Sequence, residues 1–176
     1  VAPLYGSPLQ SALQARGCSA QLLMFEAGEA SKHLGTIADL ASQAARAGMD
    51  RNGLFIAVGG GVVGDVCGFL AASYMRGVRL IQVPTSLLAQ VDSSVGGKTG
   101  VDLPEGKNLV GAFYQPQAVF IDPDTLQTLP PEQYLNGVAE VIKYGVIRER
   151  AFFDFLDKYR QHILDQELDA VIQMIH

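Results

Sequence analysis

Five consecutive apolar residues, Leu54-Phe55-Ile56-Ala57-Val58, run straight into Gly59-Gly60-Gly61-Val62-Val63-Gly64-Asp65. An unbroken apolar run of this kind is expected of a strand buried on both faces. Glycines let the chain turn sharply after such a strand and let a ligand approach the backbone closely. The helix predicted next, to about Tyr74, points its N-terminal N–H groups and its dipole at whatever sits in the turn. This strand, glycine turn and helix commit the chain to an α/β fold more firmly than any other feature.

The spacing Gly59-x-Gly61-x-x-Gly64 fits the dinucleotide-binding fingerprint, and it equally fits a plain tight turn that packs helix on strand. The fingerprint normally has a ribose-binding acid about 20 residues on, at the end of the next strand. That strand, predicted over Arg79-Leu80-Ile81-Gln82-Val83, runs into Pro84-Thr85-Ser86 with no carboxylate. The usual Rossmann arrangement is therefore absent.

Elsewhere the patterns predict a weak helix over 3–16, a short strand over 20–26, and a helix over about 32–47 that stops at Gly48. A short helix is expected over 86–92, mostly loop with room for a hairpin over 96–116, and a strand over 118–122. From Pro131 onward the periodicity is helical with no strand signal. The expected fold class is α/β: a Rossmann-like parallel-sheet domain over 1–125, then the start of an all-helical domain over 126–176, with the boundary near 123–131.

Eleven of the nineteen glycines fall between Gly59 and Gly111. Asp92, Lys98, Lys107 and Asn108 lie within the same stretch. Lysines in loops near strand ends can hold phosphate or carboxylate as point charges; solvated loop lysines are the plainer reading. Glu140 and Lys143 share a face of the helix predicted over 131–147. They form either a surface ion pair or, given their apolar flanks, a buried pair that needs a partner or a metal. His33, His162 and His176 show no metal spacing. Cys67 and the aromatic residues over 144–159 read as packing.

The chain has 176 residues and is 48% hydrophobic, enough for one real core and part of another. A net charge of −5 argues against a general nucleic-acid binder. No apolar run reaches the roughly 18 residues of a membrane helix, and the first residues do not resemble a secretory signal. Cys18 and Cys67 make no disulfide framework, so a reducing cytoplasm is the expectation. The missing initiator Met and the uncapped apolar stripe over 168–176 suggest a piece of a longer protein.

Five segments in order resemble 3-dehydroquinate synthase: Gly59 to Asp65; Tyr74-Met75-Arg76-Gly77; Gln82 to Gly100, with Asp92-Ser93-Ser94-Val95-Gly96-Gly97-Lys98; Gly106-Lys107-Asn108-Leu109; and Ala139-Glu140-Val141-Ile142-Lys143-Tyr144-Gly145. The resemblance spans nearly the whole chain. It implies conversion of a seven-carbon keto-acid phosphate (DAHP) to 3-dehydroquinate and phosphate in the shikimate pathway, with bound NAD and a divalent metal, Zn2+ or Co2+. Oxidation of one hydroxyl acidifies the neighbouring C–H, phosphate leaves, the ketone is reduced again, and an aldol step closes the ring.

By the same resemblance, Gly60, Gly61, Val62, Asp65, Thr85, Ser86, Lys107 and Thr128 correspond to NAD-site residues, with Glu29 and Lys32 on the adenosine side. Glu140 corresponds to a metal ligand. Asp92, Lys98, Asn108 and Lys143 correspond to substrate-site residues. Arg76 corresponds to an arginine that reaches the phosphate site of a neighbouring subunit, which implies a homodimeric parent. Family members also carry an acidic NAD-binding strand before the region matched here, and histidine metal ligands after it. Other sugar-phosphate cyclases share these motifs, and the alternative for this chain taken alone is an inert NAD-binding module.

Overall fold

The computed structural model describes residues 1–176. A single π turn, Ala2–Gly6, leads into α1 (Ser7–Ala15). Next comes α2 (Leu34–Arg46), whose first turn is capped by His33: the Thr36 N–H donates to His33 Nδ1. Strand β1 (Leu54–Gly59) passes directly into α3 (Gly61–Ser73), and β2 (Arg79–Pro84) follows. The two strands are parallel and in register from Leu54 opposite Arg79 to Gly59 opposite Pro84. Their carboxyl ends therefore finish side by side, and the Thr85 N–H donates to the Gly59 carbonyl at 2.9 Å. That register sets the glycine turn against Thr85 and Ser86.

A hairpin follows, β3 (Lys98–Leu103) with β4 (Gly106–Phe113), and then the short strand β5 (Ala118–Val119), which pairs in parallel with β2. The parallel sheet has the order β1-β2-β5. Beyond it the chain is helical: α4 (Pro131–Arg148), α5 (Arg150–Lys158), α6 (Arg160–Leu164) and α7 (Leu168–Ile175). No helix is long and apolar enough to cross a membrane.

There are two hydrophobic clusters. One joins Leu40 of α2, Phe55 and Ala57 of β1, Val66 and Leu70 of α3, Leu80 of β2 and Val101 of β3. The other gathers Leu126, Tyr134, Val141, Leu156, Ile163 and Met174 around Leu87. Leu87 belongs by sequence to the first half, so the helical turn that follows β2 is anchored in the helical layer. The Tyr134 hydroxyl donates to the Ile163 carbonyl at 2.8 Å, and burial pushes its pKa up to about 12.

Three expectations are corrected. Residues 20–26 form no strand; the segment is tied to α1 at its start, where Gln10 and Gln14 donate to the Ala20 carbonyl. Leu23 and Phe25 pack on the core, but β1 pairs only with β2, so the segment has apolar burial without a ladder. The strand expected over 118–122 stops at Val119, because the Asp122 carboxylate accepts from Asp124 N–H and starts a 3-10 turn over Pro123–Thr128. Gly100, Gly106 and Gly111 lie in strands rather than loop, while Gly96 and Gly97 stay in the bend before β3. Gly100 sits opposite Gly111, and a Cβ on Gly111 would overlap the Thr99 carbonyl oxygen, so only glycine lets these backbones come this close. Lys98 and Lys107 therefore lie on β3 and β4, not in loops.

Candidate functional site

At the carboxyl ends of β1 and β2 the backbone is bare. A Cβ on Gly60 would lie 3.2 Å from Ser86 Oγ, and one on Gly61 would lie 3.0 Å from Ser93 Oγ. The first turn of α3 has no side-chain cap. The N–H groups of Gly61, Val62 and Val63 find no protein acceptor. Unclaimed N–H groups at a helix N-terminus suit an anion such as a pyrophosphate. Thr85 is buried beneath this turn, and Ser86 and Val62 are half-buried beside it. These features fit a dinucleotide.

Behind the turn, buried Gln90 binds several segments together. Its Nε2 lies 3.1 Å from Thr125 Oγ1, 3.2 Å from the Asp122 carbonyl and 3.3 Å from the Pro84 carbonyl. Thr128, at the end of that turn, is exposed, and its hydroxyl is 2.6 Å from the Tyr5 hydroxyl.

The second feature is a charged node. Lys32 is buried, and its Nζ meets Asp65 Oδ2 at 2.5 Å and donates to Asn108 Oδ1 at 2.6 Å. It reaches this position because the loop ending at Lys32 docks on β3, where the Asp102 N–H donates to the Lys32 carbonyl. Asp102 in turn accepts from Asn108 N–H at 2.7 Å, which holds Asn108 at φ 56°. Asparagine tolerates this left-handed conformation better than most residues do. Burial raises the Asp65 carboxyl above the usual range, opposed by the Lys32 ammonium. Lys107 and Glu29 pair at 3.0 Å on the exposed rim, and Glu29 raises the Lys107 pKa. The node thus joins Lys32 and Asp65, expected on the cofactor, to Asn108, expected on the substrate.

The third feature lies where the helical layer meets the sheet. Asp92 lies in the helical turn Ala89–Ser93 after β2, and its Oδ1 accepts from the Tyr144 hydroxyl at 2.7 Å. That hydrogen bond, followed by burial, pushes Tyr144 up to about 12. On the same helix Lys143 pairs with Glu140. Their side chains are 50% and 20% exposed, so this is a partly solvated pair rather than a buried one. Lys98, at the head of β3, and Arg76 are both exposed. Arg76 and Met75 adopt φ 71° and 49°, uncommon values for non-glycine residues.

The chain contains no cluster of three or more His, Cys, Asp or Glu side chains able to hold a metal. Catalytic zinc takes three protein ligands, so Glu140 alone cannot supply a site. His33 is spent as a helix cap, and His162 pairs with Glu167. Sequence reasoning overlooked Gln90, Asp102 and Tyr144. Tyr144 sits among aromatics at helical spacing and reads there as core, yet it lies outside the second cluster and its hydroxyl has a charged partner.

Residues 22–136 match the family described as 3-dehydroquinate synthase N-terminal. The chain belongs to the 3-dehydroquinate synthase family. It is 51% identical over 178 residues to the 3-dehydroquinate synthase of Prochlorococcus marinus (strain MIT 9515), covering 100% of this chain and 49% of that protein. The chain thus spans about half the length of the curated relatives it matches. Among solved structures, 2-epi-5-epi-valiolone synthase from Streptomyces hygroscopicus subsp. jinggangensis 5008, with NAD+ and Zn2+ bound, superposes with a TM-score of 0.93 at 29% identity, covering 99% of this chain and 49% of that one. A 2-deoxy-scyllo-inosose synthase complexed with carbaglucose-6-phosphate, NAD+ and Co2+ has a TM-score of 0.71 at 40% identity, covering 78% of this chain and 38% of its own. Both are consistent with the parallel-sheet fold described above for this member of the 3-dehydroquinate synthase family.

Proposed function

We propose that this chain forms the NAD-cradling half of a 3-dehydroquinate synthase that converts DAHP to 3-dehydroquinate and phosphate. The observation that carries the reading is the junction of the bare glycine turn with the Lys32–Asp65–Asn108 node. It puts the residues expected to hold a dinucleotide in direct contact with one expected to hold substrate. Family membership at about half identity to named synthases supports the choice of reaction.

In this reading Gly60, Gly61 and Val62 receive the pyrophosphate at the start of α3, with Thr85, Ser86 and Thr128 around the cofactor. Asp65, Lys32, Glu29 and Lys107 line its ribose and adenosine side. NAD held there would supply reversible hydride transfer, which leaves the net reaction redox-neutral. Asp92 accepts a hydrogen bond from a substrate hydroxyl. Lys98, Lys143 and Asn108 hold the anionic groups of the substrate, and charge that develops as phosphate departs is stabilised by these preplaced donors. Arg76 lies exposed, as a residue serving the second subunit of a homodimer would. Glu140 would give one carboxylate to a metal completed by residues outside this chain. The donor set here does not fit a metal by itself.

The test is phosphate release from DAHP by the full-length protein supplied with zinc and NAD. Turnover of sedoheptulose 7-phosphate, with no phosphate released from DAHP, would instead place it among other carbocycle-forming cyclases. That second reading is favoured by the close superposition on 2-epi-5-epi-valiolone synthase.

A further inference from the structure

We propose that Tyr144 is a positioning residue that fixes the Asp92 carboxylate for the substrate; the inference rests on the reading above that Asp92 meets a substrate hydroxyl. The two residues are 52 apart in sequence and lie on different layers, Asp92 after β2 and Tyr144 on α4. The phenol hydroxyl donates to Asp92 Oδ1 at 2.7 Å, while Oδ2 has no protein donor. One oxygen is thus held and the other is left to accept a hydrogen bond from outside the protein. A carboxylate rotates broadly about its last side-chain torsion, and a charge-assisted hydrogen bond to one oxygen removes that freedom.

Packing does not account for Tyr144. It is half-buried and lies outside the hydrophobic cluster that α4 forms through Tyr134 and Val141. Lys143 Nζ lies 5.0 Å from the centroid of its ring and also pairs with Glu140. The ring is therefore held by a cation on its face, and the hydroxyl holds the acid. Asp92, Tyr144, Lys143 and Glu140 form one connected chain of polar contacts, so the orientation of Asp92 depends on where α4 sits.

The experiment uses the full-length enzyme with Tyr144→Phe, Asp92→Asn and the double variant. Substrate turnover is read as phosphate release, NAD affinity as quenching of protein or cofactor fluorescence, and folding as Tm. Tyr144→Phe is expected to lower kcat/KM for DAHP roughly tenfold, the scale of one hydrogen bond to a charged group, with NAD affinity unchanged. In the Asp92→Asn background the same substitution is expected to cost less than about twofold, since the group it acts through is gone. Losses that multiply in the double variant would overturn the proposal. So would a Tyr144→Phe enzyme within about twofold of wild type, or one whose Tm and NAD affinity fall together with activity, as a purely structural role requires. Wild-type turnover by Asp92→Asn would remove Asp92 from the substrate site, and the proposal with it; this result differs from the others in that Asp92 itself is then dispensable.

Discussion

Lys32→Met should destabilise the fold by removing the only cation from the node beneath the glycine turn. Lys32 is 6% exposed and its partner Asp65 is 20% exposed. Removing one member of a buried pair costs roughly 3–5 kcal/mol, because the remaining charge stays buried without compensation. Water still reaches part of Asp65, so about 2–3 kcal/mol is expected near neutral pH. For a domain of this size that lowers Tm by roughly 4–12 °C. The pH dependence follows from Asp65. Burial already raises its folded-state pKa, and Lys32 opposes that rise. Without Lys32 the folded pKa rises further. A folded-state pKa above the unfolded one gives stability that is present in acid and lost as pH climbs through the folded pKa. The deficit of Lys32→Met relative to wild type should therefore shrink as pH falls toward the carboxylate range. Urea denaturation followed by circular dichroism at neutral pH and at about pH 4.5 measures it. Lys32→Met/Asp65→Asn should regain part of the loss, since no charge is then stranded. A deficit below about 0.5 kcal/mol, or one equal at both pH values, would refute the reasoning.

Gly111→Ala should open the β3–β4 hairpin, because the new methyl group overlaps the Thr99 carbonyl; a loss of about 1–3 kcal/mol in urea melts is expected. Lys98→Ala in the full-length protein should lower kcat/KM for DAHP at least about tenfold through the lost charge-assisted contact, with NAD binding retained; unchanged kinetics would make Lys98 an ordinary solvated lysine. The 176-residue chain by itself should keep no zinc through dialysis, since Glu140 is its only expected ligand; stoichiometric zinc by elemental analysis would overturn that expectation.

The parallel sheet, its glycine turn and the helical tail were legible in the sequence because each rests on a local pattern. Leu54 to Val58 is apolar without a break, Gly59 to Gly64 has fixed spacing, and the period after Pro131 is helical. The Glu140–Lys143 pair was legible for the same reason, since residues three apart on a helix face one another. The sequence also carried the five motifs that identify the family. The hairpin was only half legible: Gly100 and Gly111 read as loop formers, yet they are needed where two strands lie unusually close. Residues 20–26 misled in the opposite direction, because apolar character tells that a segment is buried but not whether a strand lies beside it. What tertiary structure alone decided is which distant groups meet. Lys32 finds Asp65 and Asn108, 33 and 76 residues away, because the loop before α2 docks on β3. Tyr144 finds Asp92 because Leu87 anchors the intervening turn in the helical core. Local propensity acts over one or two turns of chain, whereas these contacts depend on how whole layers pack, and no short-range pattern encodes that.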